Sequence, residues 1–187
     1  MKKTLFPALI AFVFISCGSQ ATPPQLHQTD EPPANTTAGP AHPGNPYYSR
    51  TDTTTLHVSD AEWKKVLPPD VYETARLAAT ERPFTGKYWD YTGKGTYYCA
   101  ACGNALFRSD AKFASSCGWP SFFETIRKNS VIYKADDSYG MDRTEVNCGR
   151  CGAHLGHLFN DGPPPSYQRY CMNSVVLEFV PEGKKGK

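Results

Sequence analysis

Two pairs of cysteines limit this chain more than any other feature: Cys99-Ala-Ala-Cys102 and Cys148-Gly-Arg-Cys151. Each C-x-x-C is followed or interrupted by glycine, which lets backbone amides turn toward a thiolate sulfur. Together the pairs supply the four thiolates of a closed tetrahedral zinc site. The interval between Cys102 and Cys148 is longer than in a compact zinc ribbon, so the metal would clip two distant hairpins together and add directly to folding free energy. With all four positions filled by protein, the role of one Zn2+ here is structural. Two disulfides or a thioredoxin-like redox pair are the alternative. No βαβ pattern surrounds either C-x-x-C, which favours the metal.

The amino end is a targeting segment. Lys2 and Lys3 precede the apolar run Leu5 to Ile15. That run falls short of the roughly 20 residues needed to span a bilayer core. Residues 1–17 therefore read as a signal peptide. Ser16-Cys17-Gly18 resembles a bacterial lipoprotein box, although Phe14 stands where such boxes usually carry Leu. Acylation of Cys17 would anchor the chain in a membrane of the bacterial cell envelope, facing the periplasm. An ordinary signal peptide with an incidental cysteine would give a secreted or soluble periplasmic protein. Residues 18–55 carry seven prolines between Pro23 and Pro46 and few large aliphatics, the composition of a disordered tether. The lysine-rich end, residues 183–187, reads as a solvated basic tail.

Residues 56–182 remain as one folded domain. Ser59-Asp60-Ala61-Glu62 fits a capping box, so a short helix begins there and stops before Pro68-Pro69. A second helix covers Asp70 to Ala79. Beyond Pro83 come short segments rich in Tyr, Phe, Thr and Val, such as Gly95–Cys99 and Ser130–Lys134, which are strand signals. Arg169 to Val180 reads as one strand, with Arg169, Cys171, Asn173, Val175, Leu177 and Phe179 on one face. The fold class is mainly β (α+β): short amino-terminal helices followed by a compact antiparallel β core.

Of the seven cysteines, Cys17, Cys117 and Cys171 lie outside the two pairs. Cys171 stands between Arg169 and Asn173, where a nearby guanidinium favours the thiolate. Cys117 sits in the turn-rich loop Ser116-Cys-Gly-Trp-Pro-Ser121. A structural disulfide or two buried thiols are the bland reading of these two. His154-Leu-Gly-His157 and Asp161 lie just upstream of Cys171, and a turn at Gly156 would set both imidazoles on one side.

Cys-Gly-Trp-Pro-Ser-Phe at 117 to 122, Arg-Thr-Glu-Val at 143 to 146, His-Leu-Gly-His-Leu-Phe-Asn-Asp-Gly-Pro at 154 to 163 and Arg-Tyr-Cys-Met-Asn at 169 to 173 closely resemble the methionine-R-sulfoxide reductase B family. The resemblance runs from about Val58 to Phe179 and includes Thr80-Glu-Arg-Pro-Phe-Thr-Gly86. It implies two small antiparallel sheets with a structural zinc away from the active site. By the same resemblance Cys171 is the nucleophile, Cys117 the resolving cysteine, oxidised methionine the substrate and thioredoxin or a thioredoxin-like domain the reductant. A monomeric catalytic domain is expected.

The chemistry requires these residue types. Sulfoxide oxygen leaves only when protonated, so His157 or His154 is the candidate acid. Asp161 would orient an imidazole, and Arg169 and Asn173 would hold the thiolate and ordered water. Trp119, completed by Phe159, offers an apolar wall for the substrate methyl group. Attack leaves a sulfenic acid on Cys171, which Cys117 condenses to a disulfide.

Two other classes compete. A zinc-dependent hydrolase would use His154, His157 and Asp161 as ligands. A non-enzymatic zinc module would bind a partner or nucleic acid. The formal charge of +2 resides in Lys2 and Lys3, and the rest balances, which argues against a phosphate-neutralising nucleic-acid binder.

Overall fold

The computed structural model describes residues 42–183. Cys17, the signal segment, most of the tether and Lys184 to Lys187 lie outside the described residues. Two helices open the domain, α1 at Asp60–Val66 and α2 at Pro69–Leu77. Ser59 caps α1, its hydroxyl accepting from the Glu62 amide at 3.3 Å. That bond satisfies one of the amides a helix start leaves unpaired. Pro69 takes the first position of α2, where its missing amide is harmless. The helix ends two residues before the expected Ala79, because Ala78 turns left-handed at φ 55°.

Among the described residues, nine strands follow in two antiparallel sheets. β1 (Gly95–Cys99) lies between β2 (Ala105–Arg108) and β9 (Leu177–Pro181) in the smaller sheet. The larger is ordered β3 (Lys112–Phe113), β4 (Ser121–Phe122), β8 (Arg169–Met172), β7 (His154–Phe159), β6 (Arg143–Cys148), β5 (Val131–Asp136). Inward side chains from the two sheets form an aromatic core. Phe107 of β2 stacks on Phe122 of β4 at 4.3 Å, and Tyr97 of β1 meets Phe122 edge-on at 5.0 Å. Such pairs add about 0.5–1.5 kcal/mol beyond the area they bury.

The single strand expected from Arg169 to Val180 is two. Ser174–Val176 forms a 3-10 turn, so β8 belongs to the six-stranded sheet and β9 to the three-stranded one. The alternation spans both strands because each buries one face. What breaks it is a distant partner: the Glu81 carboxylate accepts from the amides of Ser174 at 2.6 Å and Val175 at 3.1 Å.

Within the proline-rich stretch, residues 42–52 are tied to the domain as a strap. Asn45 is buried and donates to the Ala101 carbonyl at 2.9 Å, and the Ser49 amide donates to the Cys102 carbonyl at 2.9 Å. Arg150, itself buried, donates to the carbonyls of Tyr47 and Cys102 and to the Asp52 carboxylate. Gly103, at φ 79°, admits this strap: a Cβ there would stand 2.6 Å from the Ser49 carbonyl oxygen. Further along, His42, Tyr48 and Arg50 converge on Glu178.

Candidate active site and a four-cysteine cluster

Cys99 ends β1 and Cys148 ends β6, so the two C-x-x-C turns meet where the two sheets join. All four sulfurs are buried and lie within 4.8 Å of one another. Two of the separations are 3.8 Å, Cys99 to Cys151, and 3.7 Å, Cys102 to Cys148. A disulfide would require about 2.05 Å. A tetrahedron with metal–sulfur arms of about 2.3 Å has edges of about 3.8 Å. The donor set and spacing fit a thiolate-bound metal ion.

The other two described cysteines meet on the larger sheet. Cys171, in β8, lies opposite Ser121 of β4 on one side and His157 of β7 on the other. Cys117 occupies the loop before β4, its sulfur 3.5 Å from that of Cys171 and 3.4 Å from the Ser121 hydroxyl. Gly118 holds the loop at φ 87°, and its carbonyl accepts from the Phe84 amide at 2.8 Å. Phe84 is itself left-handed at φ 64°, a strained conformation for a bulky residue. Both thiols are half-buried.

At this separation the sulfurs share a proton. The hydrogen bond from Cys171 pulls the Cys117 thiol down to about 4, against the effect of burial and with help from Ser115 and Ser121. The hydrogen bond with Cys117, burial and the like charge push Cys171 far above the ordinary thiol range, with Arg169 opposing. The pair therefore releases one proton readily and the second with difficulty. The first charge therefore belongs to the pair of sulfurs, beside the Arg169 guanidinium.

The polar residues partner differently from expectation. Asp161 orients no imidazole. Its two oxygens take Nε and Nη2 of Arg169 at 2.8 and 2.9 Å, an exposed carboxylate steering a guanidinium. That hydrogen bond raises the Arg169 pKa further, so the cation beside the sulfurs is permanent. Phe159, opposite Arg169 across the strands, lies beneath the guanidinium at 4.3 Å from its ring centre. It is a platform for the cation. Asn173 is buried, and its amide is spent on backbone: it donates to the Leu155 carbonyl at 3.2 Å and accepts from the Glu81 amide at 3.1 Å. It ties elements together instead of holding the thiolate.

His154 and His157 lie on one side of the sheet, their rings edge to face at 5.5 Å. No turn at Gly156 achieves this. Gly156 lies within β7, and the register slips between Val146 and Asn147 so that β7 carries one extra residue. A bulge of this kind restores a common face to residues three apart. His154 bonds Glu145 at 2.7 Å and His157 bonds Asp136 at 2.7 Å. With Asp161 on Arg169 as well, the three ligands of the hydrolase alternative are each engaged elsewhere. The four cysteines are the one group of metal-binding geometry among the described residues.

Trp119 is half-buried, and its Nε1 donates to the Glu81 carbonyl at 3.1 Å, which fixes the indole beside the cysteine loop. Residues 67–181 match the SelR domain. The peptide methionine sulfoxide reductase MsrB of Herminiimonas arsenicoxydans is 54% identical over 121 residues, 65% of this chain and 88% of that protein. The chain belongs to the methionine-R-sulfoxide reductase B family. The same-named proteins of Agrobacterium fabrum (52% identical; 67% of this chain, 93% of that one) and Methanosarcina barkeri (54%; 69% and 92%) are also similar. A solved "Yippee-like" domain of Mis18 gives a TM-score of 0.38 at 20% identity over 49% of this chain and 99% of its own, too remote to bear on function.

In this SelR domain, sequence reasoning missed Glu81, Asp136, Glu145 and Lys112. Glu81 was visible only as part of the Thr80-to-Gly86 motif, and its role depends on groups some ninety residues away. Glu145 was visible only as part of the Arg143-to-Val146 motif and Asp136 carries no local signature, because both meet the histidines across strands. Lys112, on β3, donates to the Trp89 carbonyl at 3.2 Å. Burial pulls its pKa down to about 8, while Asp90 and Cys117 push the other way.

Proposed function

We propose that this chain reduces methionine-R-sulfoxide, free or protein-bound, to methionine. The observation that carries the reading is the sulfur pair of Cys117 and Cys171, 3.5 Å apart within a SelR domain. Shifting the shared proton onto Cys117 places the charge on Cys171, between His157 and the permanent cation of Arg169. The Cys171 thiolate then attacks the sulfoxide sulfur while an imidazole protonates its oxygen. The oxygen then passes from the sulfoxide sulfur to Cys171 Sγ as the S–O bond and the transient S–S bond break, so methionine leaves reduced and Cys171, oxidised by two electrons, holds the oxygen as sulfenic acid.

Cys117 attacks that sulfenic sulfur, forming a disulfide and releasing water. The sulfurs approach from 3.5 Å to about 2.05 Å, a displacement within reach of loop and rotamer adjustment. Two thiol exchanges with a thioredoxin-like dithiol restore both cysteines. Trp119, locked through Nε1, forms the apolar wall for the substrate methyl group, and selection of one sulfur epimer follows from methyl on the indole and oxygen toward the donors.

Zinc is the ion the four-cysteine cluster would hold, through Cys99, Cys102, Cys148 and Cys151, with no position left for catalysis. The amino-terminal reading gives an acylated Cys17, a tether and an envelope lipoprotein with a monomeric catalytic domain facing the periplasm; an intact mass equal to the unmodified chain overturns the acylation. The deciding experiment for the activity assays both sulfoxide epimers with the wild type and Cys171→Ser. Turnover of the R epimer alone, lost in the variant with metal content unchanged, is expected. Undiminished turnover by Cys171→Ser removes that residue from the mechanism.

A further inference from the structure

Two imidazoles are available as the acid, and their surroundings separate them. His154 is buried, its Nδ1 is on Glu145 at 2.7 Å, and its Nε2 is buried without a partner. Burial lowers its pKa despite Glu145, which disfavours the charged ring an acid needs. His157 is half-buried and lies directly opposite Cys171. Its Nε2 is on Asp136 Oδ2 at 2.7 Å. The same oxygen accepts Nη2 of Arg143 at 2.7 Å, and the other accepts the Ser138 amide at 3.0 Å. Arg143 and Asp136 are also register partners across β5 and β6, so the carboxylate is fixed from three sides.

We propose that Asp136, itself held by Arg143, is the positioning residue that makes His157 the proton donor to the sulfoxide oxygen. The inference rests on the reductase reading and deepens it. With Nε2 committed to the carboxylate, the ring orientation is set and Nδ1 is the nitrogen left to exchange a proton with the site. When the proton passes to the sulfoxide oxygen, neutral His157 keeps its Nε2–H on Asp136, so the ring need not turn before reloading. Other charged groups face His157. They are Lys134 on β5, Arg143 and Glu145 on β6, His154 on its own strand, and Arg169 with the two thiols on the far side.

Two substitutions at the clamp have opposite signs. In Asp136→Asn the full-length enzyme should lose at least tenfold in kcat for the R-sulfoxide with little change in KM. The alkaline limb of its kcat profile, where the donor loses its proton, should move to lower pH. Asp136→Glu should recover much of the rate. In Arg143→Gln the carboxylate is freed from its cation, and the same limb should move to higher pH. Near-UV circular dichroism and metal content check that both variants fold; if Asp136→Asn does not, the Arg143→Gln shift alone decides. An unmoved limb, a limb moved the same way in both variants, or a loss confined to KM overturns the positioning role. Failure of the wild type itself to reduce either epimer would instead overturn the reductase reading.

Discussion

The sulfurs of Cys117 and Cys171 lie 3.5 Å apart although 54 residues separate them in the chain. The contact is made by strand pairing: Ser121, four residues beyond Cys117, is the register partner of Cys171. The loop between Cys117 and Ser121 then folds its thiol back over that partner, and the Ser121 hydroxyl supports it at 3.4 Å.

Cys117→Ser should complete one stoichiometric reduction and then stop with thioredoxin as the sole reductant, leaving Cys171 oxidised. Counting methionine formed per enzyme checks this. Multiple turnovers with thioredoxin alone would exclude Cys117 from recycling.

The shared proton predicts an unusual acid limit for thiol chemistry. Because Cys171 pulls the Cys117 thiol down to about 4, alkylation of the pair by iodoacetamide should persist well below neutrality. It should fall away only as the pH drops through about 4. Cys171→Ala removes the hydrogen bond and should move the onset up toward the ordinary thiol range. Coincident pH profiles for the two proteins would contradict the coupling.

Arg169 provides the fixed cation, aligned by two hydrogen bonds to Asp161 and a ring beneath it. Arg169→Lys keeps the charge but not the fork, so kcat should fall about tenfold, and Arg169→Ala should cost more. Equal rates in wild type and Arg169→Lys would show that geometry is irrelevant at this position.

Removing metal should loosen the junction between the sheets. Each C-x-x-C contributes two of the four thiolates, so Cys102→Ser should lower bound zinc from about one per chain and reduce the melting temperature by more than 10 °C. Metal analysis beside thermal denaturation reads both. An unaltered melting temperature in a metal-free variant would deny the cluster a structural role.

Glu178 anchors the strap. Burial raises its pKa, but His42, Tyr48 and Arg50 outweigh that and hold it at about 2. A carboxylate depressed in the folded state stabilises at pH above its ordinary value of about 4.5 and loses that contribution as the pH falls toward 2. The loss should be about 1–2 kcal/mol after allowance for solvent screening. Chemical denaturation between pH 6 and 2 should show it, and Glu178→Gln should flatten the slope over that window.

Much of the architecture was legible locally. The Ser59 cap, the proline boundary at Pro68-Pro69 and the strands around Tyr97 and Tyr133 follow from dihedral preference and side-chain periodicity, which act over a few residues. Arg169 to Val180 misled because alternation reports only that one face is buried; it cannot say against which sheet. The strap misled because proline-rich composition hides the few residues, Asn45, Tyr47, Tyr48 and Arg50, whose partners, Ala101, Trp63 and Glu178, are distant in the chain.

The sequence by itself determined the family, the four cysteines that can ligate a metal, and the thiols and imidazoles from which the site is built. Those are matters of residue type and spacing. Only the tertiary structure decided which acid serves which base: Asp161 with Arg169, Asp136 with His157, Glu145 with His154, and the proton that Cys117 shares with Cys171. Hydrogen bonds and pKa values depend on through-space distance and burial, and cross-strand register sets both without leaving a mark on neighbouring residues.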